Sequence, residues 1–351
     1  MSEGVKKICI LIDGISKSGG TDRVLSTVAN ILDSKGHEIT VYSLTEGEPY
    51  YEINKTVTIR YATKKNRFAK LFQFSFFIKN NNFDSVIIIS MGRLSAQIIP
   101  ILKIVRVHSN IVCSDHVAIE SFPKTIRLIK YFSYYLANYI VVLTKQDKIY
   151  LSSIFKNDKI AVIRNASPFE EKFRNNMEKE KIAIAVGRLT YQKNFFRLID
   201  IWKKRENKSW KLYIIGEGED RDKLQEYITE DDGVHLVGAC KKIDEWYKRA
   251  SLLLMTSRYE GLPMVLIEAK NFGLPVIAFD CKTGPSELID NDGIVIDYND
   301  DENFIVNLNK TLDDNVLLNE MMENALINSA FYEKNAIYAQ WLKVIDKSFS
   351  D

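Results

Sequence analysis

Cysteine is scarce in this 351-residue chain: Cys9, Cys113, Cys240 and Cys281 stand far apart and form no CxxC pair. Such spacing argues against a zinc ribbon or a disulfide framework and favours buried thiols in a reducing compartment. Proline and glycine are also few, 7 and 16 residues, which excludes collagen-like and linker-dominated architectures. No fixed-period repeat or low-complexity tract is present. No apolar run is long enough to cross a bilayer. The opening MSEGVKKICILID carries an acid and is broken by Asp13, so it does not read as a signal peptide. A cytoplasmic protein is expected.

Acidic residues are nearly missing from one long stretch. Between Ile53 and Gln146 the acids are Asp84, Asp115 and Glu120, set against fourteen Lys and Arg, a local balance of +11 in a chain whose net charge is +2. That asymmetry points to an anionic partner for the first half of the chain. Within it, KKNRFAKLFQFSFFIK (64–79) places Phe68, Phe72 and Phe76 on one helical stripe beside Lys64, Lys65, Arg67 and Lys70. Either the stripe is core and the charges its solvated face, or the helix rests on an anionic membrane. A second basic-aromatic segment, 122–139, keeps the membrane reading open. Nothing resembles a nucleic-acid recognition module, and no nucleic acid is expected as a partner.

What is plentiful is apolar sequence, 46% of residues against 27% charged. Short β-branched runs alternate with amphipathic helical ones: KICILID, EITVYSL, TVTIRYA, DSVIIIS, SNIVCS and YIVVLT, then IAIAVG, LYIIG, VHLVG, SLLLMT, PVIAFD and IVID. Apolar strands interleaved with helices predict parallel sheets covered on both faces. The polar stretch at 170–181 separates the two series. The expected fold class is therefore α/β, two Rossmann-like doubly wound domains facing a cleft, at 1–169 and 170–331. Segment 332–351 has no strand after it, and could cap the second domain or cross back to the first.

The richest stretch is SRYEGLPMVLIEAKNFGLPVIAFDCKTGPSELI (257–289). A loop carrying Glu260 and Gly261 follows a strand, and Pro263 reads as the first residue of a helix whose free N–H groups suit phosphate or sugar hydroxyls. Glu260 and Glu268 stand eight positions apart, and a carboxylate is a good acceptor for paired sugar hydroxyls. The bland alternative has Glu260 capping the helix and Glu268 facing solvent. Arg188 and Lys193 follow the first strand of the second series, where two cations match a diphosphate. Gly19 and Gly20, in ISKSGGTDRV, give a backbone that a ligand can approach closely. His116, in CSDHVAIES, ends a strand, while His37 and His235 read as structural.

The run EGLPMVLIEA, GLPVIAFD, GPSELI resembles the signature of glycosyltransferase family 4, with its two glutamates separated by seven residues. VGRLTYQKNFFRLIDIW, LYIIGEGEDRDKL, ISKSGGTDRV and IAVIRNAS extend the resemblance over nearly the whole chain. It implies the GT-B fold, transfer of a hexosyl or N-acetylhexosaminyl unit with retention of configuration, and a final helix that returns to the first domain. It further implies that Arg188 and Lys193 hold the diphosphate of a nucleotide sugar, a UDP-sugar being expected. Glu260, Gly261, Leu262, Pro263 and Glu268 complete the donor site, with Gly19 and Gly20 near the phosphates and His116 at the reacting sugar. A glycan or lipid-linked oligosaccharide is the expected acceptor, and peripheral contact with an anionic membrane is expected. No cofactor and no metal are expected, since Asp231–Asp232 and Asp300–Asp301 are adjacent pairs rather than an Asp-x-Asp. The rival readings are a sugar-nucleotide epimerase or hydrolase of the same fold, and a non-catalytic partner subunit.

Overall fold

The computed structural model describes residues 4–17, 19–91, 93–116, 119, 122–169, 179–281 and 284–346. Most of the polar linker at 170–181, and Glu120, lie outside the described residues. The chain divides into two compact units, the break falling after Pro168 and a second one after Glu333.

In the first unit the order is β1 (Lys7–Ile12), α1 (Gly20–Ser34), β2 (Glu38–Ser43), β3 (Thr58–Tyr61), α2 (Arg67–Asn81), β4 (Ser85–Ser90), α3 (Arg93–Ile104), β5 (Asn110–Asp115), α4 (Lys124–Leu136), β6 (Tyr139–Val142), α5 (Lys145–Ser152) and β7 (Ile160–Val162). They form one parallel sheet in the order β3-β2-β1-β4-β5-β6-β7. The pleat of β1 explains its unbroken apolar sequence: Cys9 and Leu11 enter the core under α2 and α3, while Ile8, Ile10 and Ile12 enter the opposite core under α1. β7 is a short edge strand that apolar patterning does not announce.

The second unit repeats the plan with β8 (Ile182–Val186), α6 (Phe195–Lys203), β9 (Lys211–Ile215), α7 (Arg221–Tyr227), β10 (Val234–Gly238), α8 (Ile243–Arg249), β11 (Leu252–Met255), α9 (Met264–Asn271), β12 (Val276–Asp280), α10 (Pro285–Leu288), β13 (Gly293–Asp297), α11 (Asp301–Asp313) and α12 (Asn315–Asn328). Its parallel sheet runs β10-β9-β8-β11-β12-β13. The last helix, α13 (Lys334–Ile345), belongs to the first unit. Ile337, Tyr338, Trp341, Val344 and Ile345 fill the core above α1. Its final carbonyls are claimed by the sheet: Asn110 donates to Val344 O at 2.6 Å and Ser85 to Ile345 O at 2.9 Å. The His37 ring and the Tyr338 hydroxyl are hydrogen-bonded at 3.0 Å.

Two points about the basic half are decided by burial. Lys130 is not a surface cation. It is fully buried, 2.6 Å from Asp115, which also accepts from Tyr134 and Ser95. The pair removes one acid and one base together, so the +11 balance is untouched. The Phe68, Phe72 and Phe76 stripe is not core either: these rings are 65%, 42% and 52% exposed, and α2 buries Leu71, Phe74 and Ile78 instead.

Candidate active site

The second sheet reverses its strand order between β8 and β11, and in such sheets ligands settle outside the carboxyl ends at the reversal. Beyond β8 the chain turns at Gly187. A Cβ there would lie 2.8 Å from Lys193 Cε, so the lysine stem lies flat across the glycine. The turn after β9 presses in just as closely. A Cβ on Gly216, whose φ is +150°, would stand 1.9 Å from Gly187 O, and one on Gly218 would stand 2.2 Å from Leu189 O. Backbone bonds from Gly187 to Ile215 (3.0 Å) and from Leu189 to Glu217 (2.9 Å) close the contact. Patterning alone makes 216–218 a turn; the structure makes it the seat of the Arg188 loop.

Residues 190–194 are bound to the loop beyond β11. Thr256 Oγ1 donates to Lys193 O and Asn194 O at 3.3 and 3.2 Å, Arg258 N to Gln192 O at 2.8 Å, and Gln192 Nε2 to Tyr259 O at 2.9 Å. Arg258 also reaches Asn194 Oδ1 at 2.9 Å and covers the Tyr191 ring. This fastening brings two of the sequence candidates together: Lys193 Nζ lies 2.6 Å from Glu260 Oε1, their side chains 17% and 8% exposed. Arg188, on the same loop, is exposed and has no hydrogen bond or ion pair with a described residue. Below the pair, burial and the neighbouring Glu260 push the Cys281 thiol up to about 12, so it stays protonated.

Glu260, Gly261, Leu262 and Pro263 are held from behind by Gly284. Its φ is +130°, and a Cβ would lie 2.7 Å from Pro263 Cδ and 3.1 Å from Gly261 O, which explains the glycine of GPSELI. Pro263 stands one place earlier than its sequence suggests. With ψ at 105° it is the extended residue before α9, not its first helical one. The first N–H groups of α9 lack intrahelical acceptors in either case. Glu268 does not face solvent: it is 2% exposed and accepts a 2.9 Å hydrogen bond from Tyr247 Oη. The acidic pairs have structural work: Asp232 caps Thr229 and pairs with Lys203, Asp300 caps α11, and Asp301 pairs with Arg197.

In the first unit, Gly19 precedes α1 and Gly20 opens it. Gly19 has φ of −81° and neither glycine is left-handed, so any need for them is spatial. A Cβ on Gly20 would meet nothing within 4 Å, and one on Gly19 only Asp22 and Thr21. Asp22, a residue the glycine pattern does not single out, accepts from Lys17 N at 3.2 Å, and burial raises its pKa. His116 follows β5, its N–H bonded to Ser90 O at 2.9 Å and its Nε2 3.2 Å from Ser114 Oγ. Burial pulls its imidazole down to about 4 against the opposing pull of Asp115. The ring is therefore neutral at physiological pH and acts as a hydrogen-bonding group.

Residues 167–327 match a family model described as Glycosyl transferases group 1, and residues 18–169 one described as Glycosyltransferase Family 4. The chain is 46% identical over 349 residues to the amylovoran biosynthesis glycosyltransferase AmsD of Erwinia amylovora, covering 97% of this chain and 99% of that protein. It is 28% identical over 357 residues, 97% and 98% of the two chains, to a Campylobacter jejuni α-1,4-N-acetyl-D-galactosaminyltransferase acting on a diNAcBac-PP-undecaprenol glycan. Among solved structures, the lipopolysaccharide outer core galactosyltransferase WaaB superposes with a TM-score of 0.75 at 22% identity, covering 97% and 99% of the chains. Anabaena HepE in complex with UDP gives 0.78 at 17% identity with the same coverage.

Proposed function

The chain belongs to the glycosyltransferases matched by the group 1 and family 4 models and has the GT-B fold, and on that premise we propose that it transfers a hexosyl or N-acetylhexosaminyl unit from a UDP-sugar, with retention, to a glycan or lipid-linked oligosaccharide in surface polysaccharide biosynthesis. The observation that carries this is the Lys193–Glu260 pair at the reversal of the second sheet, with exposed Arg188 on the same loop. Lys193 exchanges its carboxylate partner for a diphosphate oxygen, and Arg188 supplies a second, forked contact. Glu260 is then released to the hexose hydroxyls, and Glu268 takes the ribose. Gly261, Leu262 and Pro263 bring the start of α9 to the donor. The acceptor oxygen bonds to the anomeric carbon as the bond from that carbon to the diphosphate breaks. The hydroxyl proton passes to the departing diphosphate, giving nucleoside diphosphate and the lengthened glycan. Neutral His116 hydrogen-bonds the reacting sugar, and Gly19 and Gly20 meet the donor phosphates. Peripheral contact of the first unit with anionic membrane completes the reading. No cofactor is assigned, and EDTA should leave the rate unchanged.

Replacing Lys193 or Arg188 with Ala removes one preorganised charge, and turnover should fall by on the order of a hundredfold with the circular dichroism spectrum unchanged. Near-normal turnover in both variants, assayed with a panel of UDP-, GDP- and ADP-sugars, would overturn the assignment.

A further inference from the structure

Tyr247 lies on α8 and is fully buried. Its ring stacks on Phe272 at 5.4 Å between centroids and 20° between planes, and meets Phe169 edge-on at 6.2 Å. Phe169 packs edge-on against Phe272 at 4.9 Å, and its carbonyl accepts from Asn271 Nδ2 at 3.1 Å. Three rings therefore fix where the phenol oxygen can go, because a clamped tyrosine keeps neither χ angle free. A phenylalanine would satisfy all of this packing. The hydroxyl adds a 2.9 Å hydrogen bond to Oε2 of Glu268, itself 2% exposed. A carboxylate that deep needs hydrogen bonds to keep its place and charge.

We propose that Tyr247 is a positioning residue for the donor: its hydroxyl fixes the plane of the Glu268 carboxylate so that it meets the vicinal hydroxyls of a ribose in one orientation. This rests on Glu268 as the ribose group. A flexible glutamate reaches a diol in many poses and loses rotamer freedom on binding, whereas one already held by a clamped phenol loses little. The tyrosine touches no substrate.

The test compares affinities for UDP and its 2′,3′-dideoxy analogue by calorimetry, or the GDP or ADP pair where thermal shift shows that base to bind more tightly. Wild type should prefer the ribose form by about tenfold or more, the scale of a hydrogen bond to a charged group. Glu268→Gln should bring the two affinities close together. Tyr247→Phe, which keeps the rings packed, should weaken the ribose form by about three- to tenfold and leave the dideoxy form unchanged, raising donor KM with kcat nearly constant. Equal weakening of both ligands, or a lowered melting temperature with the wild-type preference intact, would reduce Tyr247 to a packing residue and overturn the proposal. A wild-type preference surviving in Glu268→Gln would instead overturn the ribose role of Glu268, and Tyr247 would fall with it.

Discussion

A histidine at the end of a buried strand either carries a proton or avoids one, and its surroundings decide which. His116 is 9% exposed, and burial outweighs the adjacent Asp115, whose charge is already claimed by Lys130, Tyr134 and Ser95. The folded pKa of about 4 lies below the ordinary value of 6.5, so the unfolded chain takes up this proton first as pH falls. The contribution is fully present above pH 6.5, is lost as pH drops through the window from 6.5 to about 4, and does not change further below it. Its size is roughly 3 kcal/mol at about 1.36 kcal/mol per unit. Denaturant titrations at pH 7 and pH 4.5 should therefore differ by about one proton's linkage more in wild type than in His116→Gln. An equal pH dependence in both would show that this ring does not titrate as described. The transfer rate should likewise show no break near pH 6.5 that His116→Gln removes.

At the scale of elements, the glycines divide into those that shape the fold and those that leave room. Gly216 carries a φ of +150° with a carbonyl 1.9 Å from where its Cβ would be, so Gly216→Ala must push apart the β8 and β9 turns. We expect a loss of about 2 kcal/mol or more and, because the Arg188 loop moves, weaker nucleoside diphosphate binding. Gly20→Ala meets open space at a helix start, so stability should hold within about 0.5 kcal/mol while donor affinity falls. Thermal melts and calorimetry on the two variants check both, and unchanged donor affinity in Gly20→Ala would remove that glycine from the donor site. The same division governs what could be read in advance. Parallel strands such as Ser85–Ser90 and Ile182–Val186 are legible because burial on two faces leaves an unbroken β-branched run. β7 is not, because its three residues lie at the sheet edge with Ala161 and Val162 half-buried. Lys193 and Glu260 are legible as chemistry within local motifs. Thr256, Gly216 and Tyr247 are not, because their work depends on which strands and helices become neighbours, and neither period nor composition encodes that.

For the whole molecule the question is what a surface both basic and aromatic is for. Helices α2 and α4 pack on the same face of the first sheet with α3 between them, and turn outward Phe68, Phe72 and Phe76 from one, Leu128, Ile129, Phe132 and Tyr135 from the other. No described helix is long and apolar enough to cross a membrane. The cations are not all equally available. Arg67 is bonded to Asp13 and Gln97, and Lys70 to the Leu44 carbonyl, whereas Lys64, Lys65 and Lys124 are exposed. Each free cation at an anionic surface contributes about 1 kcal/mol, within a Debye length of about 8 Å at physiological salt. Those three alone would give only weak adsorption, to which the exposed rings would add by entering the headgroup region. Wild type should therefore float with phosphatidylglycerol vesicles at low salt, lose much of that binding at high salt, and ignore phosphatidylcholine. Changing Lys64, Lys65 and Lys124 to Gln should reduce the salt-sensitive part. Phe68→Ser with Phe72→Ser should lower binding at every salt concentration without altering the fold, since both rings are already outside the core. Affinity for the nucleotide should survive in each variant, because Lys193, Glu260 and Glu268 belong to the other unit. A wild-type chain that stays with the aqueous fraction at low salt would leave these rings and cations to the acceptor glycan, and a polyanionic acceptor should then compete for the same three lysines.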